Sequence, residues 1–131
     1  MDVGSKTIGV AITDPLKITV RPLTTLARAT IGVDAQTICR LMEEQQADKL
    51  VVGMPKHLDG SRSDTLQFIE PLVEHLETVS EVPIEWAEER LSTKRAEELM
   101  AEAGLSLAER RKKRNEYSAA VILQWYLEES R

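Results

Sequence analysis

The chain has 131 residues, 42% of them apolar, with a formal net charge of −5 and a pI near 5.1; this suits one globular domain with a real core, spanning 1–131, and is short for two. No run approaches the roughly 18 apolar residues of a membrane span, the start lacks a basic segment leading into an apolar signal core, and the acidic balance argues against a general nucleic-acid coat protein. The single cysteine, Cys39, excludes an internal disulfide, and two histidines, His57 and His75, give no Cys/His spacing for zinc.

A soluble, cytoplasmic protein is expected, and any metal would be held by carboxylates, which suits Mg²⁺ or Mn²⁺. In chain order, "TIGVAI" (Thr7 to Ile12) and "KITV" (Lys17 to Val20) read as two strands of a hairpin turned at Asp14-Pro15. Ile38, Leu41 and Met42 fall at helical spacing between Gln36 and Gln46, and "KLVVGMP" (Lys49 to Pro55) reads as a buried strand. Leu66, Ile69, Val73 and Leu76 mark a second helix, and "VPIEWA" alternates like a strand. A third helix starts near Ser92 or Thr93 and stops at Gly104. The last is predicted to begin near Asn115, whose stripe continues through Ala119, Ile122 and Tyr126, with Glu116 heading the adjacent row. This order predicts an α/β fold with a mixed central sheet and helices on both faces.

Asp2 and Glu89 stand at or just past strands, and the polar start of the last helix can approach both. Carboxylates gathered at one sheet edge repel one another unless they hold cations, and two such cations serve phosphodiester hydrolysis. The plainer reading makes Asp2 a terminal residue and Glu88-Glu89 an acidic start to the following helix. The densest charge run, "RRKKR" (Arg110 to Arg114), is either a positive surface beside that site or a solvated loop.

Four ordered blocks, "DVGSKTIGVAITDP", "VVGMPKHLDGSRSD", "AEERLST" and "SAAVILQWYLE", resemble the YqgF/RuvX family, of ribonuclease H-like fold, over nearly the whole chain. The resemblance implies a metal-dependent nuclease that resolves Holliday junctions or matures the 5′ end of pre-16S ribosomal RNA. It assigns one catalytic acid and metal ligand to Asp2 and a second to Glu89. The family's third acid, an Asp on the last helix, aligns with Asn115, so either the Asn115 carbonyl or the neighbouring Glu116 would have to complete the metal site. Family members also carry a full strand ahead of the first aspartate, where only Met1 precedes Asp2 here, which implies a first strand cut short by a late start. Thr7 stands where a basic residue is common.

Lys6, Lys56, Arg62, Arg90 and Lys94, together with Arg110, Arg111, Lys112, Lys113 and Arg114, are the candidate phosphate contacts. Arg95 reads equally as a solvated helix residue, His57 as a surface residue, Trp86 and Trp125 as core, and Cys39 as an inert helix thiol. Two other classes stay open. The D-x-G-x-K turn is shared with ATP-clamping folds, which need two such domains. The same fold with Asn115 in place of an acid could instead be a catalytically impaired nucleic-acid-binding or regulatory module. Branched DNA or precursor ribosomal RNA is the expected partner, bound by a monomer or a homodimer.

Overall fold

A computed structural model describes residues 1–55, 66–89 and 92–130. The elements are β1 (Asp2–Val3), β2 (Thr7–Thr13), β3 (Val20–Ala27), α1 (Ile31–Glu44), β4 (Leu50–Pro55), α2 (Leu66–Val79), β5 (Ile84–Glu89), α3 (Ser92–Glu102) and α4 (Leu107–Glu129). β1, β2 and β3 form an antiparallel sheet in that order, and β4 pairs in parallel with β5. Met1 joins the two. Its ammonium donates to the Val51 carbonyl at 2.5 Å, and its carbonyl accepts the Gly53 N–H at 3.0 Å. The spatial order across the molecule is therefore β3-β2-β1-β4-β5, the mixed sheet expected from the sequence.

Helices cover both faces. Met1, Val3, Ile8 and Val52 point into one core with Ala35 and Ile38 of α1 and Leu66, Ile69, Leu72, Val73 and Leu76 of α2. Val10, Met54, Ile84 and Trp86 pack against it, so Trp86 is a core residue. Cys39 lies at its margin, where burial, helped by Glu81, pushes the thiol pKa up. The other face carries α4, which packs on β2 and β3 and in turn supports α3 through Ala96, Met100, Ala119, Val121 and Ile122, all buried. A cleft of about 660 Å³ opens beside Met1 between the edges of β2 at Val10 to Thr13 and β4 at Leu50 and Val51.

The hairpin is longer than its sequence pattern suggests. Lys17 to Thr19 belong to the turn, and the partner strand begins at Val20, where "KITV" was expected to end. The cause is Asp14. Its carboxylate accepts the N–H groups of Leu16, Ile18 and Thr19 at 3.2, 2.7 and 2.7 Å, while Lys17 adopts φ 58°. These bonds draw the carboxyl pKa down, the Thr19 N–H most of all. β3 contains Pro22, tolerated because β3 is an edge strand and the ladder has a bulge where Ala11 meets Pro22.

The last helix also differs from expectation. It starts at Leu107, more than two turns before Asn115, because Ser106 accepts the Glu109 N–H at 3.2 Å and Glu109 returns the bond to the Ser106 N–H at 3.1 Å. The basic run Arg110 to Arg114 is therefore helical, and its reading as a loop is corrected. Gly104, at φ 77°, ends the preceding helix as expected.

Candidate active site

The register places Asp2 directly opposite Gly9, and Val3 opposite Ile8. Residues opposed in an antiparallel ladder share a face, and at Gly9 that face is occupied by α4. A Cβ built at Gly9 would lie 2.5 Å from the Glu116 nitrogen and closer still to the Asn115 carbonyl. Only glycine allows the helix backbone to sit this near the sheet. The approach brings Asn115 to the β1–β2 turn, where its side-chain amide donates to the Thr7 hydroxyl and lies 3.8 Å from the position a Gly4 Cβ would take.

Asn115 and Glu116 are thus both close to Asp2 along the chain of contacts, but they sit differently on α4. Asn115 shares its stripe with Ala119, Ile122 and Tyr126. The Tyr126 hydroxyl donates to Glu85 of β5 and accepts from Lys49 at 3.1 Å. These bonds, the Tyr126 contact first in each case, raise the Lys49 pKa and lower that of Glu85. They fix the far end of the helix over β5. Arg114, one step before Asn115, is tied to Glu97 of α3 at 2.5 Å. Glu116, one step after it, turns about 100° away, to the flank opposite Arg114. There it is 9% exposed, and burial pushes its pKa up, only partly offset by Lys113.

Glu89 is the final residue of β5, its backbone paired with Pro55; its side chain lies outside the described residues, as do Lys56, His57, Arg62 and Arg90 entirely. Position 89 keeps the parity of 85 and 87 along β5. Since Asp2 lies beside Gly53 through the Met1 pairing, and Gly53 pairs with Ala87, Glu89 is placed two residues further toward the strand ends than the row containing Asp2. Among the described residues no group of three or more His, Cys, Asp or Glu converges. The donors gathered at β1 and α4 are a carboxylate and an amide, oxygen chemistry that suits a hard divalent cation.

The cationic candidates divide. Lys6, in the turn before Thr7, and Lys94 on α3 are exposed. Arg111, Lys112 and Lys113 are exposed on the turn of α4 that precedes Asn115. Arg110 and Arg114 have internal duties, with Arg110 donating from Nε to the Leu105 carbonyl at 2.9 Å. Arg95 pairs with Glu98 at 3.0 Å and Glu102 at 3.7 Å, the solvated helix reading. Thr7 was legible only as an oddity of the turn, and the signal for its partner was Gly9, a glycine inside a strand.

The family model for RuvX, described as Holliday junction resolvase, matches residues 1–129. The chain belongs to the RuvX family. A relative from Desulforamulus reducens is 37% identical over 128 residues, covering 98% of this chain and 93% of that one, and bears the name "Putative pre-16S rRNA nuclease". A Clostridium perfringens protein of the same name is 38% identical over 128 residues, covering 98% and 93%. Among solved structures, Thermus thermophilus RuvC in complex with a Holliday junction substrate superimposes with a TM-score of 0.55 at 13% identity, covering 98% of this chain and 92% of that one. That likeness gives the ribonuclease H-like fold. No described helix is long and apolar enough to cross a membrane.

Proposed function

We propose that residues 1–131 act as a single nuclease domain that hydrolyses phosphodiester bonds in structured nucleic acid, with the 5′ end of a small-subunit ribosomal RNA precursor as substrate. The observation that supports this reading is that Gly9 both pairs with Asp2 and receives the backbone of Asn115, one turn after the exposed cations Arg111, Lys112 and Lys113 of α4. The RNA assignment draws on the names of relatives such as those from Desulforamulus reducens and Clostridium perfringens. Asp2, Glu89 and the Asn115 carbonyl oxygen would hold Mg²⁺ or Mn²⁺. Bound there, such a cation supplies a water of lowered pKa and neutralises charge on the scissile phosphate.

The residues of the chain do the rest. Thr7 takes the amide N–H of Asn115, which turns the other end of that amide, its acceptor oxygen, away from the turn. Arg111, Lys112, Lys113 and Lys6 draw the phosphate backbone toward Asp2 and Asn115 and position it without reading sequence. The flank occupied by Glu116 favours Asn115 over Glu116 as the third donor. The reaction would run in the cytoplasm, where ribosomal precursors are matured.

The test is cleavage of a 5′-extended 16S precursor RNA and of a four-way DNA junction, each with Mn²⁺, Mg²⁺ or EDTA. Metal-dependent cutting of the RNA end supports the reading. Preferential cutting of the junction would move the assignment to resolution, in line with the family description. Binding of either substrate without cutting would instead mark the impaired binding module.

A further inference from the structure

Asp2 and Val3 pair with Gly9 and Ile8 of β2, and the backbone is gripped at both ends of this pair. One end is the Met1 pairing with β4. At the other, the Gly4 N–H donates to the Thr7 carbonyl at 2.8 Å, and the Gly4 carbonyl accepts from Nη1 of Arg28 at 2.9 Å.

Arg28 follows the end of β3 and touches three further elements. Its backbone N–H donates to the Lys6 carbonyl at 2.9 Å, its Nε to Asp34 of α1 at 2.8 Å, and its Nη1 also to the Phe68 carbonyl of α2 at 3.2 Å. Asp34 is only 4% exposed, and its second oxygen accepts the Ala29 N–H at 2.9 Å. A planar, permanently charged fork can serve carboxylate and carbonyls together, which a lysine ammonium cannot reproduce.

We infer that Arg28 is a positioning residue: anchored on Asp34, it holds the Gly4 carbonyl and thereby sets the carboxylate of Asp2 for metal and substrate. This rests on the nuclease reading above. Arg28 does not itself touch the reacting atoms.

The test compares Arg28→Lys with Thr30→Ala, which removes the N-cap of α1 and lowers stability without touching the turn. Three quantities are measured: the thermal midpoint in EDTA, the rise in midpoint on adding Mn²⁺, and kcat and KM for the cleaved substrate. For Arg28→Lys, kcat should fall roughly ten- to hundredfold, as small misplacements do, with KM nearly unchanged and a weaker Mn²⁺ response. Thr30→Ala should move only the midpoint in EDTA. Wild-type kcat and Mn²⁺ response in Arg28→Lys would overturn the inference, as would an equal loss of kcat in Thr30→Ala. If Arg28→Lys does not fold, Asp34→Asn, which removes the anchor and leaves the guanidinium, carries the same measurements. If the wild type cuts nothing, the nuclease reading fails, and hydrogen exchange at the Gly4 amide decides for Arg28. Exchange accelerated at least tenfold in the variant supports it, and unchanged exchange overturns it.

Discussion

Gly9→Ala tests the contact on which the site is built. The added methyl would lie 2.5 Å from the Glu116 nitrogen and nearer still to the Asn115 carbonyl, both of them backbone atoms that cannot turn aside. Ordinary contact begins near 3.4 Å, so α4 would have to retreat by about 1 Å or more. Overpacking against a rigid neighbour costs about 1–3 kcal/mol, and here the upper end applies because the bond between Asn115 and Thr7 is pulled apart as well. In a chain of this size about 3 kcal/mol lowers the thermal midpoint by roughly 10 °C. Gly32→Ala is the matched control. A Cβ there meets nothing within 4 Å, and it falls inside α1, where alanine should add a few tenths to about 1 kcal/mol. Urea and thermal unfolding in EDTA would read both variants. A Gly9→Ala protein as stable as the wild type would refute the close approach of α4, and with it the convergence of Asp2 and Asn115.

Two further predictions concern α4. Burial raises the Glu116 pKa, so the folded state keeps this proton longer than the unfolded one. Stability should therefore fall as pH rises from the ordinary carboxyl value through the raised one, with no penalty below the ordinary value. Glu116→Gln should flatten that slope and raise stability at neutral pH without metal; an unchanged pH profile would contradict the raised pKa of this buried carboxyl. Replacing Arg111, Lys112 and Lys113 by Gln should weaken nucleic-acid binding and reduce the salt slope by roughly two to three. Circular dichroism should stay unchanged, since none of the three carries the internal bonds of Arg110 and Arg114. An unaltered slope would make the cationic turn a mere solvated face.

Where the sequence carried strong periodicity, it located the elements well. The apolar runs of β4 and α2, the alternation of β5 and the glycine stop after α3 correspond to what formed. β3 was hidden because it contains Pro22 and a Thr24-Thr25 pair between Leu23 and Leu26 in place of a period-two alternation, and because the Asp14 turn consumes Lys17 to Thr19, which look like strand on propensity. The start of α4 was hidden by charge. Arg110 to Arg114 give no apolar stripe, yet Ser106 and Glu109 spelled out a capping box. Of the site, Asp2 and Asn115 were legible as residue types at strand and helix positions. What no local pattern supplied was how α4 is held over the sheet and against α3, fixed by Tyr126 and Arg114 at a distance, and the four-element reach of Arg28.

The most direct measurement of the central claim is a cleavage and binding assay of Glu89→Gln and Asp2→Asn against the wild type, on labelled precursor RNA and junction DNA with Mn²⁺. Each variant removes one negative charge from the proposed metal site while leaving the basic surface intact. Both variants should bind nucleic acid as the wild type does and cut it at least a hundredfold more slowly, on the order of 3 kcal/mol in barrier. Undiminished cleavage in either variant would contradict the assignment of that carboxylate and the metal site built on it.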